Sequence, residues 1–306
     1  MSKNILVTGG TGLVGSEIVN QLLQKGYTVF EISRSKPSTE FENLHWMHFD
    51  IAEDKIEKLT GALPSIDGIV HAAAYVGPTN TPEETEYCRK ANIDFTNALF
   101  QYASSLNKNI PVIYISSFSV LAKPLLTPIT EEHIAIPKSF YALSKYYGEL
   151  FLKSPAKVKS IRPIVLRISS PIGKKVEQLG NVVGKWIDLA SKGKTLTIQG
   201  NGERVQDFVS TEDITHAVIL ALENNTAKGT YNIASGNGIT MNELANEISS
   251  FFHVATQHSG DDTNEKDKWI ISIEKAQKEL GYKPKFNSID CIKTLLHTNF
   301  ENSHSK

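Results

Sequence analysis

Residues Thr8-Gly9-Gly10-Thr11-Gly12-Leu13-Val14-Gly15 stand between a short β-branched run at 5–7 and an amphipathic stretch at 12–25. A glycine-rich turn that leaves a strand and opens a helix constrains a chain more than any other feature here. Glycines permit the tight turn and let backbone N–H groups approach a pyrophosphate, while the helix packs on the sheet with its N-terminal dipole toward the anion. The segment satisfies both Gly10-x-Gly12-x-x-Gly15 and Gly9-x-x-Gly12-x-x-Gly15. Its alternative reading, a glycine turn with no ligand, does not account for the strand and helix on either side.

The rest of the first half repeats this rhythm. Strands are predicted at 5–7, 29–32, 68–71, 112–115 and 160–166, with a further candidate at 44–49. Helical spacing of apolar residues covers 12–25, 85–106 and 139–152, as in Ile18, Leu22, Leu23 and Phe95, Leu99, Tyr102. Strands alternating with helices predict an α/β fold, a Rossmann-type doubly wound parallel sheet. After about Arg167 the chain becomes punctuated by Gly180, Gly184, Gly193, Gly200 and Gly202, then reads as helix at 213–223 and 241–252. A smaller C-terminal substrate-binding lobe is expected. The division reads as 1–166 plus 207–235 for the dinucleotide-binding domain, and 167–206 with 236–306 for the second lobe. No Pro- or Ser-rich linker separates them, and the tail at 302–306 is expected to fray.

Composition narrows the function classes. Lys and Arg number 32 against 33 Asp and Glu, a net charge of −1 without long runs of one sign, which argues against nucleic acid as a partner. Cys88 and Cys291 lie far apart and lack disulfide or zinc spacing, and no metal is expected, because His45, His48, His71, His133 and His216 show no ligand spacing either. The start at Met1-Ser2-Lys3 runs directly into strand, and no stretch approaches ~18 consecutive apolar residues, so a cytoplasmic protein without membrane contact is expected.

Two further segments carry chemistry. The end of the second strand reads Glu31-Ile32-Ser33-Arg34-Ser35-Lys36. An acidic side chain at that tip would bind a ribose 2′-hydroxyl, whereas arginine accommodates a 2′-phosphate. Ser33 and Arg34 therefore favour NADP(H), with NAD(H) possible if Glu31 reaches the ribose and Arg34 only stacks on adenine or faces solvent. Tyr141-Ala142-Leu143-Ser144-Lys145 places a tyrosine and a lysine at i and i+4, on one helix face. An ammonium beside the phenol is expected to lower its pKa from ~10 and make Tyr141 a usable acid or base. Ser116-Ser117 ends the apolar strand at the carboxyl edge, where open α/β sheets bind ligands.

Together these segments resemble the extended short-chain dehydrogenase/reductase family, the NAD(P)-dependent epimerase/dehydratase group. The resemblance spans almost the whole chain: Phe49-Asp50-Ile51, His71-Ala72-Ala73-Ala74, Asn92, Leu166 to Gly173, Ile198 to Asp213, Tyr231-Asn232-Ile233-Ala234 and Lys275 to Pro284 all match in order. It implies Ser117, Tyr141 and Lys145 as the catalytic set. For the cofactor it implies Gly9, Thr11, Gly12, Leu13, Val14, Gly15, Ser33, Arg34, Asp50, Ile51, His71, Ala72, Ala73, Asn92, Tyr141, Lys145 and Ser170. For the substrate it implies Tyr75, Ser117, Phe118, Ser119, Asn181 and Arg204, and it also implies a homodimer.

Departures from the family pattern bear on the reaction. Phe118-Ser119 follows Ser117 where dehydratases carry an Asp-Glu pair, which disfavours dehydration. Gln206 precedes Asp207-Phe208 where the family has its diphosphate-binding arginine, so Arg204, two residues earlier, is the candidate replacement. The leading expectation is NADPH-dependent reduction of a 4-keto nucleotide-activated deoxysugar. The alternatives are a nucleotide-sugar epimerase with tightly bound NAD, a reductase of a non-sugar carbonyl compound, and a non-catalytic NADP-binding regulator, which an intact Ser117, Tyr141 and Lys145 speak against.

Overall fold

The computed structural model describes residues 2–38, 41–121, 123–154 and 160–300; the tail at 302–306, expected to fray, lies outside them. Seven strands form one parallel sheet: β1 (Asn4–Thr8), β2 (Thr28–Ser33), β3 (Leu44–His48), β4 (Gly68–His71), β5 (Ile110–Ser117), β6 (Ile161–Ile168) and β7 (Gly229–Ile233). Their order is β7-β6-β5-β4-β1-β2-β3, the doubly wound arrangement in which strand order reverses between β1 and β4. The central strands are apolar on both faces because helices cover both. The candidate at 44–49 is the edge strand β3, where His45 and His48 are exposed, and this is why its apolar signal was weaker.

One face of the sheet packs on α1 (Leu13–Gln24) through Ile18, Val19 and Leu22. The opposite face packs on two helices that the sequence read as one. The stretch predicted as a continuous helix at 85–106 is α2 (Pro82–Arg89), a five-residue π-turn over Lys90–Asp94, and α3 (Phe95–Ser105). Thr81 and Glu84 form a capping box with Pro82 at the first helical position, which starts α2 three residues early. The π-turn carries one extra residue per turn and rotates Ala91 and Asn92 inward, where both are buried. Beside α3 lies α4 (Phe140–Leu152), so that Leu99, Phe100 and Phe151 share a core with Tyr114. Each fully buried side chain of this size contributes about 1.5–3 kcal/mol.

A third apolar cluster builds the second lobe from Trp186 and Ile187 of α5 (Val182–Ser191), Leu244 and Ile248 of α7 (Met241–Phe252), and Ile292 and Leu296 of α8 (Ser288–Phe300). Between them in sequence, α6 (Thr211–Glu223) returns to the sheet beside α1, with Ile214 and Val218 in the same core as Ile18. The two regions are tied by the fully buried Asp207. Its carboxylate accepts Ser169 Oγ (2.7 Å) from the end of β6, and Ser235 N (3.0 Å) and Oγ (2.7 Å) from beyond β7. A satisfied buried carboxylate is costly to strip of partners, which fixes the lobe against the carboxyl edge of the sheet. Among the described residues no helix is long and apolar enough to cross a membrane.

Candidate active site

At the carboxyl ends of β1, β2 and β4 the glycine turn walls one side of a cavity of about 200 Å³. Gly9 has φ +76°, and a Cβ there would come within 2.7 Å of the Ala73 backbone, so the turn lies directly against the end of β4. Gly12 is the N-cap of α1, and no side chain caps the helix, which leaves its first N–H groups to face an anion. Of the residues expected to hold a dinucleotide, Gly9, Thr11, Gly12, Ser33, Arg34, Ile51, Ala72 and Ala73 line this cavity. These residues fit a dinucleotide: a bare helix N-terminus, backbone open to close approach, and apolar walls from Ile32, Phe49 and Ile51. Tyr75, read as a substrate residue, lines it too.

Other expected contacts sit behind the wall. His71 is fully buried, bonded through Nδ1 to Thr8 Oγ1 (2.7 Å) and through Nε2 to Thr96 Oγ1 (2.9 Å), and burial holds it neutral. It supports the wall rather than facing the cavity. Asn92, turned inward by the π-turn, accepts the Tyr75 N–H (2.7 Å) and donates to Tyr75 O (2.9 Å) and Ser144 Oγ (3.0 Å), so it splints the Tyr75 loop to α4. Asp50 folds into its own turn, accepting Ala52 N–H at 2.8 Å. Leu13, Val14 and Gly15 belong to the first turns of α1, where the buried Gly15 packs against the Gly9 backbone.

The tip of β2 is more elaborate than its sequence suggested. Arg34 is exposed at the rim and donates to Tyr87 Oη (3.2 Å). Glu31 is fully buried, accepts the Gly10 N–H (2.9 Å) and Ser33 Oγ–H (3.1 Å), and does not line the cavity. The reading in which Glu31 reaches a ribose therefore has no support from its position; it buttresses the glycine turn. Burial pushes its carboxyl up to about 7 against the pull of those two hydrogen bonds.

A second cavity, about 380 Å³, opens between β5, the end of β6 and the second lobe. Ser117, Phe118, Ser119, Ser170 and Arg204 line it together, which puts Ser170, read as a cofactor residue, in this cavity rather than the one the glycine turn lines. Arg204 and Gln206 share this wall, as two residues of one parity on a strand do. Arg204 is not free: its Nε lies 3.2 Å from Asp262 Oδ2, in a contact too poorly aligned for a hydrogen bond. Asp262 is fixed in turn by the Asn264 N–H on its other oxygen (2.8 Å). Asn181, expected in the substrate site, instead caps α5 by accepting Val183 N (3.1 Å) and Gly184 N (3.3 Å). Of this wall, Gln206 is marked in the sequence only as a departure from the family pattern, and sequence reasoning missed Asn264, Asp267 and Trp269, as well as Lys175, which reaches Thr11 O (3.2 Å). The last three of the wall residues come from a loop with no periodic signal.

Ser139 caps α4 by accepting Ala142 N–H (3.1 Å), and this start sets the helix face so that Tyr141 and Lys145 point inward beside β5. Tyr141 lies near Ser117, so the three expected catalytic residues come together at the carboxyl edge. The expectation that Lys145 depresses the Tyr141 pKa is corrected. Burial pushes the phenol up to about 12, a nearby Cys88 adds to the rise, and the neighbouring Ser117 hydroxyl only partly offsets it. Burial likewise pushes Lys145, 3% exposed, down to about 7, with the charge of Glu149 pulling it back. Desolvation is the largest cause for both groups. Among the described residues no group of His, Cys, Asp or Glu is placed to hold a metal.

Comparison with known proteins agrees with this geometry. The profile of the NAD dependent epimerase/dehydratase family matches residues 5–234. A Methanocaldococcus jannaschii protein provisionally named a UDP-glucose 4-epimerase is 28% identical over 96% of this chain and 97% of its own length. The dTDP-4-dehydro-6-deoxyglucose reductase of Escherichia coli is 25% identical over 92% of this chain and 93% of its own. The crystal structure of UDP-glucose 4-epimerase from Thermotoga maritima with UDP-glucose superposes with a TM-score of 0.84 at 25% identity, covering 98% of this chain and 99% of that one. A glycine turn on an uncapped helix, a Ser-Tyr-Lys set at the sheet edge and a family match over most of its length make this chain an enzyme of the NAD dependent epimerase/dehydratase family, of the extended short-chain dehydrogenase/reductase kind.

Proposed function

We propose that the chain reduces a keto group on a nucleotide-activated deoxysugar, using NADPH. The observation that carries this reading is the pair of cavities at the carboxyl edge of the sheet, one lined by the glycine turn, Arg34 and Tyr75, the other by Ser117, Ser119 and Arg204. When bound, the nicotinamide supplies the hydride. The chain's own residues do the rest. Ser117 donates to the carbonyl oxygen and polarises it, and Tyr141 delivers a proton to the same oxygen as it gains charge. A phenol held protonated up to about pH 12 is in the form that this direction needs. With a dinucleotide bound, Lys145 would hold the nicotinamide ribose, Lys175, which now reaches Thr11 O, and the α1 N-terminus would face the pyrophosphate, and Arg34 with Tyr87 would receive the 2′-phosphate.

A second reading, an epimerase that retains NAD, has the 4-epimerase relatives in its favour. The deciding experiment titrates NADPH, NADH, NADP and NAD into the purified protein and identifies any dinucleotide it carries. Selective, exchangeable NADPH binding that Arg34→Ala weakens about tenfold relative to NADH, followed by NADPH consumption with 4-keto nucleotide sugars, is the expected result. Copurified NAD with sugar interconversion and no added cofactor would replace this proposal with the second reading. Tyr141→Phe is expected to lower kcat for reduction by about 10²–10⁴, and undiminished turnover would remove the acid role from Tyr141.

A further inference from the structure

We infer that Tyr114, on β5 beneath the site, is a positioning residue whose ring face holds the Lys145 ammonium in its charged form and fixes where it points. Lys145 Nζ lies 4.2 Å from the Tyr114 ring centroid, well inside the range in which the negative face of an aromatic ring attracts a cation. Such an attraction strengthens when water is excluded, and Tyr114 is 1% exposed and Lys145 3%. The ring is held from every side. His71 stacks on it at 5.5 Å and 29°, and Phe100 meets it edge-on at 5.7 Å and 89°. Gly148 leaves the space it occupies, since a Cβ there would come within 2.6 Å of the Tyr114 Cζ and Oη. The hydroxyl is turned toward Lys145 O at 3.4 Å, so the face, not the edge, is left to the ammonium.

Of the other groups around Lys145, Glu149 favours its charge from a distance, and none makes direct contact with the ammonium as a counter-ion. Tyr141 precedes it by one turn on α4 and keeps its proton. Glu149 follows by one turn, but its carboxylate is committed to Arg167 of β6 (2.7 Å) and Ser116 Oγ (2.6 Å), with Lys153 at 3.6 Å. His71, from β4, is neutral, and the Cys88 thiol, from α2, is pushed up by burial. Among the described residues no carboxylate forms an ion pair with Lys145. Burial keeps the Tyr114 phenol protonated far above its ordinary range, so it acts through its π face at every working pH and never as a counter-ion. A cation on that face is favoured, so the contact works with the charge of Glu149 against the desolvation that draws Lys145 down to about 7. The ribose-holding role of Lys145 rests on the proposed function above; the contact with Tyr114 does not.

The test follows the Lys145 charge directly, by ¹³C NMR of [ε-¹³C]lysine in the full-length protein without dinucleotide, with the resonance assigned through Lys145→Met. Wild type and Tyr114→Phe should titrate at the same pH, because phenylalanine keeps the ring face. Tyr114→Leu should titrate about one pH unit lower, the worth of a desolvated cation–π contact. Should the leucine variant not fold, phenylalanines with one to five ring fluorines at position 114 keep the shape while draining the negative face, and the midpoint should fall with each fluorine. A leucine or pentafluorophenylalanine variant that titrates with wild type, or a Phe variant that shifts as far as Leu, overturns the inference. The readout needs neither cofactor nor substrate, so failure to bind NADPH would count against the proposed function and leave this result standing.

Discussion

Glu31 shows how a single residue can be visible in a sequence and still be misjudged. Its place two residues before the strand tip gives it the same parity as Ser33, yet only the packing of Gly10 over it shows that the carboxylate is shut in under the glycine turn. Its raised pKa has a consequence for stability. From about pH 4.5 to 7 the unfolded chain releases a proton that the folded chain keeps, so the contribution of Glu31 is full at low pH and is lost as pH rises through about 7. Glu31→Gln should remove about 3 kcal/mol of that decline at ~1.4 kcal/mol per pH unit, measured as the difference in urea unfolding free energy between pH 5 and pH 8. An unaltered slope would show that Glu31 is ionised in the folded protein. Tyr141 and Lys145 carry the same lesson: their i, i+4 spacing was legible, while the sign of each pKa shift follows from burial by neighbours far away in sequence.

At the scale of elements, periodicity located β1 to β6 and the helices α1, α4, α6 and α7 within a few residues, but not β7, α5, α8 or the interruption between α2 and α3. Nothing in Lys90-Ala91-Asn92-Ile93-Asp94 breaks a helix locally. The π-turn exists because Asn92 must face the Tyr75 loop and Ser144 at once, a tertiary demand. The second lobe was harder still, since the segment opposite Arg204 is irregular, and among its four acids, Asp261, Asp262, Glu265 and Asp267, no spacing flags Asp262 as the partner of Arg204 or Asp267 as part of the wall. If the substrate carries a diphosphate, it must exchange with Asp262 for Arg204. Isothermal titration with UDP should then give about tenfold tighter binding for Asp262→Asn, loss of binding for Arg204→Ala, and the same loss for the double variant. Weaker binding by Asp262→Asn would show that the pair braces the site rather than competing for it.

Across the whole molecule, Leu143, Tyr147 and Leu150 form an exposed apolar stripe along α4, 47%, 37% and 49% exposed, on the face turned away from the site. Residues at this spacing share one helix face, and we propose that the stripe pairs with its counterpart in a two-fold dimer. Leu143→Glu with Leu150→Glu should give a monomer of 33.8 kDa by light scattering, with dinucleotide binding retained; a wild-type monomer at micromolar concentration would dismiss the interface. The parallel sheet, its glycine turn and the Tyr141–Lys145 pair were determined by the sequence itself, because each rests on local chemistry: a period of two or 3.6, glycine at a positive φ, a cap at Ser139. Tertiary structure alone decided that Glu31 and His71 stand behind the cofactor wall, that Arg204 arrives already paired, and that an aromatic ring on β5 lies under the lysine. Those outcomes depend on desolvation and on contacts between residues tens of positions apart, and neither quantity is carried by the order of residues along a short stretch of chain.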